Sequence, residues 1–237
     1  MRCDLARAML ENKDLFVFDE FTSVVDRTVA QIGSFAIQKA IRRHNKRFIA
    51  VTCHHDVQDW LMPDWVFNTD DMKFHVYDVE TQKKNRPDIK LDIYEVETGQ
   101  KTKLWEVFRR YHYLSHTFNE AAHVYVCTCN GKLAGFTSVL HFPHPSAKKI
   151  KKGHRSVVLP EFQGVGIGNA FTSYIAKMWK LQGYRYTSVT SNPSMIMARK
   201  NSKAWKCVRF GRTSQSTGIL KGTASSARIT ASFEYIG

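Results

Sequence analysis

Apolar and polar positions change their period several times along the chain, and each change marks an element. "CDLARAMLEN", 3–12, reads as a helix. The runs "LFVFDEF", 15–21, and "RFIAVTC", 47–53, have the continuous apolar character of buried strands. Between them, "TVAQIGSFAIQKAIRRHN", 28–45, places Ile32, Phe35, Ala36 and Ala40 at helical spacing. Strand–helix–strand in this order implies parallel pairing. Further on, "LDIYEVE" reads as a strand and "TKLWEVFRRYHYL" as an amphipathic helix. "AHVYVCTCNGKLAGFTSVLHF", 122–142, reads as two strands about Asn130-Gly131, a dipeptide suited to a tight hairpin turn. "HRSVVLP" is a strand, "GIGNAFTSYIAKMWKLQG", 166–183, a helix closed by Gly183, and "YRYTSVTS" a strand. "PSMIMARKN" is a short helix and "ARITASFEYI" a last strand. The order is α/β with hairpins, so the sheet is expected to be mixed.

One boundary stands out. "DVETQKKNRPDIK", 78–90, is polar, charged and broken by Pro87, as a linker is. The expected organisation is a segment 1–80, a linker 81–89 and a domain 90–237. Charge changes sign across that boundary. Residues 1–80 carry 10 Lys/Arg and 13 Asp/Glu, a net of −3, whereas 81–237 carry 25 and 8, a net of +17. Past Glu120 only Glu161 and Glu234 are acidic. A half so biased suits a polyanion such as nucleic acid, or an anionic cofactor.

No apolar run is long enough to span a bilayer, and "MRCDLARAML" has no secretory apolar region. The five cysteines, Cys3, Cys53, Cys127, Cys129 and Cys207, are odd in number and scattered, which fits reduced thiols in a cytosol. Cys127 and Cys129 share one strand face, but no further ligands stand at metal-binding spacing, so no metal is expected. A cytoplasmic location, in a bacterium or a phage-infected host, follows from these readings.

The densest chemical signal is "VVLPEFQGVGIGNAF", 157–171, where Gly164, Gly166 and Gly168 fall between an apolar strand and a helix. A helix start leaves amides unpaired and carries roughly half a unit of positive charge. Glycines let a ligand approach that backbone closely. Together they make a cradle for a phosphate. Asn169 and Ala170 follow the last glycine, so this is no Walker loop, and no acidic residue sits where a dinucleotide fold needs one.

The fuller segment "VLPEFQGVGIGNAF" resembles the Q/R-x-x-G-x-G/A motif of GNAT-family N-acetyltransferases. The resemblance runs over about residues 90–237 and includes the hairpin with "GKLAGF" and the later strand "YTSVTSN". It implies a GNAT-like mixed sheet with flanking helices and acetyl-CoA, or another acyl-CoA, as cofactor. The diphosphate would lie on the amides of Gln163, Gly164, Val165, Gly166, Ile167 and Gly168, bordered by Asn169. The pantetheine arm would run beside Val158 and Leu159. Acyl transfer needs a proton acceptor for the amine, donors for the oxyanion and an acid for the thiolate. The backbone N–H near Leu159 is the oxyanion candidate. His112, Tyr113, His154, Glu161 and Asn192 are the candidates for proton transfer, with His112 preferred because tyrosines and a serine flank it.

"YHYLSH" and the hairpin after it are also similar to the His-Tyr-x-Ser region of phage Mom-type DNA-modification proteins, which are GNAT-like acyltransferases acting on adenine. That likeness implies a nucleic-acid acceptor. "KKIKKGHR", 148–155, would then meet phosphates, and Tyr111, Tyr113 and Phe142 would stack on a base.

The first segment resembles the end of an ABC-type ATPase over residues 2–68. Asp19-Glu20 match the end of Walker B, Asp26 the D-loop and His54 the switch histidine. The chain has no G-x-x-x-x-G-K-S/T and no Leu-Ser-Gly-Gly signature. A truncated ABC-like segment without its phosphate loop is not expected to hydrolyse ATP alone. It either only packs or joins a partner chain that supplies Walker A. Three functions therefore stand open: a CoA-dependent N-acyltransferase, a nucleic-acid-binding module without catalysis, and an ATPase subunit completed by another chain.

Overall fold

The computed structural model describes residues 2–78, 89–112, 116–145, 147, 149–212 and 229–237. Tyr113 and the linker at 81–88 lie outside them. The chain divides into two compact units, residues 1–89 with 161–165, and 90–160 with 166–237.

The first unit opens with helix α1 (Arg2–Leu10) and strand β1 (Leu15–Phe18). Helix α2 (Arg27–His44) leads to strand β2 (Arg47–Ala50). β1 and β2 pair in parallel from Leu15↔Arg47 to Phe18↔Ala50, as the strand–helix–strand pattern implies. Asp26 starts α2 by accepting the Thr28 amide at 2.8 Å, and Asn45 ends it in a left-handed conformation. Leu5, Phe21, Ile37 and Val57 form the core, with Phe18, Ile41 and Phe48 against it. A short helix α3 (Asp56–Leu61) and an antiparallel hairpin, β3 (Trp65–Asn68) with β4 (Lys73–Val76), complete the unit. Both parallel strands are shorter than their apolar runs predict. The chain turns at Asp19–Phe21, where Glu20 takes a positive φ of 48°.

The second unit is built on β5 (Leu91–Glu95), helix α4 (Lys101–Phe108), β6 (His123–Cys129), β7 (Lys132–His141) and β8 (Ile150–Val158). Helix α5 (Ile167–Leu181), β9 (Arg185–Thr190), helix α6 (Pro193–Lys200), β10 (Trp205–Arg212) and β11 (Ile229–Tyr235) follow. Its sheet has the order β10-β11-β9-β8-β7-β6-β5, all antiparallel except β8–β9. The mixed sheet is the expected one. Asn130 (φ 50°) and Gly131 (φ 74°) make the β6–β7 turn with both central residues at positive φ. Gly183 (φ 81°) closes α5 through its amide on the Lys180 carbonyl. α5 buries Phe171, Ile175, Ala176 and Trp179 on one stripe, and α4 buries Trp105 and Phe108.

β8 begins earlier than the run "HRSVVLP" predicts and takes in most of the basic tract "KKIKKGHR". The pairing of β8 with β9 begins at Ile150↔Arg185 and takes in Lys151, Lys152 and Gly153. Lys151 is buried, its ammonium 4.2 Å from the Trp179 ring centroid and 3.2 Å from His123 Nε2. Lys152 lies 4.9 Å from the Phe142 ring. Their aliphatic stems allow these lysines into a sheet that the charge pattern disguised.

Candidate active site

The one parallel pair of the second sheet among the described residues, β8–β9, does not stay paired. Pairing ends at Gly153↔Ser188. Beyond it β8 remains on β7, through Arg155↔Ser138 to Val158↔Gly135, while β9 remains on β11 through Val189↔Ser232 and Thr190↔Ala231. The sheet therefore splits into a wedge. His154 is the extra residue of a bulge at the point of separation, since Arg155 and Gly153 face consecutive residues of β7. Along residues 154–158, β8 has no ladder to β9, a geometry in which an extended chain can add by backbone hydrogen bonds at that edge.

The far end of that edge leads to the start of α5. Gly166 is its N-cap, left-handed at φ 99°, and no side chain caps the helix. A Cβ at Gly166 would meet nothing within 4 Å, so the backbone is open there. The amides of Ile167 and Gly168 find no acceptor among the described residues, whereas those of Asn169 and Ala170 turn back to the Gly166 carbonyl. Gly168 lies close under Val158, at 3.2 Å from the valine methyl to an added Cβ. Gly164 also has a positive φ, 96°. It stands with Gln163 and Val165 in the segment joining the 3₁₀ turn Pro160–Phe162 to α5. The Asn169 carboxamide oxygen is buried without a hydrogen-bond partner among the described residues.

The oxyanion assignment needs correcting. The Leu159 amide donates to the Ala134 carbonyl at 2.9 Å and is not available to a substrate. β7 continues alongside Leu159, and the ladder claims that donor.

The proton-transfer candidates separate. His112 ends the 3₁₀ turn after α4, 7 % exposed, its ring 5.6 Å from that of Trp105. Burial first, then the charges of Arg155, His154 and His116, push its pKa down to about 4. His154 is pushed down to about 4 as well, again by burial first, then by Arg155 and Lys152. Its Nδ1 is buried without a partner among the described residues. The structure thus gathers His112, His154 and Arg155 at the wedge, with both imidazoles neutral at pH 7 and able to accept a proton. Asn192 sits elsewhere in role. Its Oδ1 accepts the Met195 amide at 3.1 Å and caps α6. Glu161 lies in the 3₁₀ turn Pro160–Phe162. Sequence reasoning missed Arg199, which ends up 2 % exposed beside Ser188, because an arginine in "MARK" reads as a solvated helix end.

In the first unit, Asp19 and Glu20 leave β1 and His54 follows β2. Because the strands are parallel, these residues follow the same, C-terminal end of the two-stranded sheet. Asp19 Oδ1 accepts the Glu20 amide at 2.9 Å, Asp26 is occupied as the α2 cap, and His54 Nδ1 lies 3.7 Å from Cys53 Sγ. No cluster of three His, Cys, Asp or Glu suited to a metal ion occurs among the described residues. No described helix is long and apolar enough to cross a membrane.

Residues 90–199 match the model of the Acetyltransferase (GNAT) family. The match covers just under half of the chain and lies almost wholly within the second unit. Similar solved structures include the ribosomal-protein-S18-alanine N-acetyltransferase of Escherichia coli, at 14% identity over 62% of this chain and 93% of that one, TM-score 0.45. An acetyltransferase of Bacillus subtilis in complex with CoA is 14% identical over 62% and 98%, TM-score 0.46. The protein yncA of Salmonella typhimurium, solved with acetyl-CoA, is 12% identical over 62% and 92%, TM-score 0.45. A comparison with curated proteins finds no match.

Proposed function

We propose that the second unit transfers an acetyl group from acetyl-CoA to an amine. The observation that carries this reading is the wedge where the β8–β9 ladder ends, together with a following helix, α5, that no side chain caps. The diphosphate of the cofactor lies against the amides of Ile167 and Gly168, and the pantetheine arm pairs with β8 back toward His154. The thioester then sits at the point of separation. The amine nitrogen attacks the carbonyl carbon, a C–N bond forms, and its proton passes to the neutral imidazole of His154 or His112.

The acceptor is an amine on a polyanion, with a nucleic-acid base favoured. Arg155 and the two histidines face the thioester with no acid among the charges acting on them. Tyr111 and Phe142 remain half-exposed, each with a cation over its ring, Arg110 and Lys152 respectively. Stacking on a base fits such rings.

Titration of acetyl-CoA into the wild-type chain and Gly166→Glu tests the cofactor site. Wild type binds and the variant does not, and equal binding refutes the reading. Intact-mass analysis of DNA, tRNA and peptide pools after incubation with acetyl-CoA identifies the acceptor by its added acetyl group.

The parallel arrangement of Asp19-Glu20 and His54 favours a second, separate reading for the first unit. It is a remnant of an ABC-type nucleotide-binding fold that needs a partner chain for Walker A. ATP hydrolysis is then expected only with that partner present, and Glu20→Gln abolishes it.

A further inference from the structure

β10 is the outermost strand of the second sheet and pairs with β11 alone among the described residues. An outer strand invites unwanted pairing, and charged residues on it are a common guard. β10 carries such charges in Lys206, Arg209 and Arg212, all exposed. It also leaves Val208 56 % and Phe210 64 % exposed, which a guard alone does not explain.

The register shows where these groups stand. Lys152, Thr187, Glu234 and Lys206 pair in one row across β8, β9, β11 and β10, and so share one face of the sheet. Val189, Ser232 and Arg209 make the next row on that face. Val208 is the extra residue of a bulge, which brings Arg209 round to the side of Lys206. The opposite face buries Tyr186, Ala231 and Phe233, whereas Arg185, Val189, Lys206 and Arg209 are exposed.

Charge on these strands is nearly all of one sign. β8, β9, β10 and β11 together carry seven Lys or Arg and one acid, Glu234. That acid is already engaged. Arg185 donates to both its oxygens, at 2.6 and 2.7 Å, and holds its carboxyl below the usual range. The face therefore keeps a positive excess that the sheet does not neutralise, with an exposed aromatic ring on its outer strand. Phosphates suit the charge, and bases stack on such a ring.

We infer that this open face of β9, β11 and β10 binds a single-stranded nucleic acid. The backbone crosses the sheet from Lys152, beside the wedge, to Lys206 and Arg209, and a base stacks on Phe210 at the edge. A single strand fits because Phe210 can engage only a base that is not already inside a duplex stack. The inference deepens the nucleic-acid acceptor reading above. It rests on that reading for the use of the surface, not for the binding itself.

The experiment uses the full chain without acetyl-CoA and a fluorescent oligonucleotide, offered as a single strand and as a duplex. Anisotropy is read at several salt concentrations. Wild type binds the single strand more tightly than the duplex, and log affinity falls steeply with log salt. The double variant Lys206→Met with Arg209→Met lowers that slope by about 1.4, as two contacts to a single strand require. Phe210→Ser weakens binding about tenfold and leaves the slope unchanged. Lys177→Met, at an exposed position of α5, changes neither. If the double variant fails to fold, Phe210→Ser and Lys177→Met decide. A slope that falls as much per charge in Lys177→Met, full affinity in Phe210→Ser, or preference for the duplex overturns the inference. Wild type that binds neither nucleic acid overturns it together with the nucleic-acid acceptor, while titration of acetyl-CoA still reads the cofactor site. Binding of the single strand without uptake of acetyl-CoA leaves the surface standing and overturns acetyl transfer.

Discussion

Gly153 and Tyr186 stand so close across the start of the wedge that a Cβ on the glycine would lie 3.0 Å from the tyrosine hydroxyl. Tyr186 is itself 2 % exposed and has nowhere to retreat. Gly153→Val is therefore expected to force the two strands apart below their natural point of separation. Overpacking of this kind costs about 1–3 kcal/mol. The melting temperature falls and, on the proposed placement of the thioester in the wedge, the KM for acetyl-CoA rises. A variant with unaltered KM would remove the wedge from the cofactor site.

Gly166 makes a sharper test of the helix start. Its φ of 99° strains any residue with a Cβ, by about 1–2 kcal/mol. Gly166→Ala adds only that strain and one methyl in open space, and a modest loss of acetyl-CoA affinity is expected. Gly166→Asp adds a negative charge at the proposed diphosphate site, where it would take up the positive helix start and repel the cofactor. Calorimetry should give Asp a much larger loss than Ala. Equal losses would mean that strain, not anion binding, explains the glycine.

His112 predicts how stability depends on pH. Its folded pKa, about 4, lies below the ordinary value of 6.5. Between those values the unfolded chain binds a proton that the folded chain does not. Stability is therefore intact above pH 6.5 and is lost as pH falls toward 4. The contribution of His112 is on the order of 3 kcal/mol at full loss. His112→Phe, also suited to packing on Trp105, is expected to flatten the fall in melting temperature between pH 6.5 and 4. An unaltered slope would place the imidazole in water.

Much of this fold was legible because local chemistry agreed with tertiary structure. Asn130-Gly131 makes its turn and Gly183 closes α5, as read, and the glycines at 164 and 166 both have positive φ. Where the two disagreed, reading failed. β10 went unseen because its run Lys206–Phe210 is exposed at every position and broken by a bulge between Cys207 and Arg209. The first half of β8 hid in a basic tract whose lysines bury their stems under Trp179 and Phe142. The Leu159 amide looked free because its acceptor, Ala134, is 25 residues away in sequence and beside it in the ladder. Arg199 had no signal at all, since its partners come from α5, β9, β10 and β11 and meet only in the folded sheet.

Asn192 separates a capping role from a chemical one. Loss of its bond to the Met195 amide is expected to cost about 1 kcal/mol in Asn192→Ala. In a unit of this size that lowers the melting temperature by a few degrees. Asn192→Ser keeps a hydroxyl acceptor at the cap and should restore both stability and turnover. A Ser variant that is stable but inactive would return Asn192 to the chemistry.

The two kinds of lysine in the basic tract give the last test. Lys151 has its ammonium committed to His123 and Trp179, and His123 in turn lies 3.3 Å from Glu95. Lys149 is exposed. Each phosphate contact adds close to one unit to the slope of log affinity against log salt. If the basic half binds DNA through its surface, Lys149→Met lowers that slope by about one and Lys151→Met leaves it unchanged. Fluorescence anisotropy of labelled duplex at several salt concentrations measures both. A slope that falls equally in the two variants would show Lys151 reaching the phosphates, and the buried contacts with Trp179 and His123 would have to open when DNA binds.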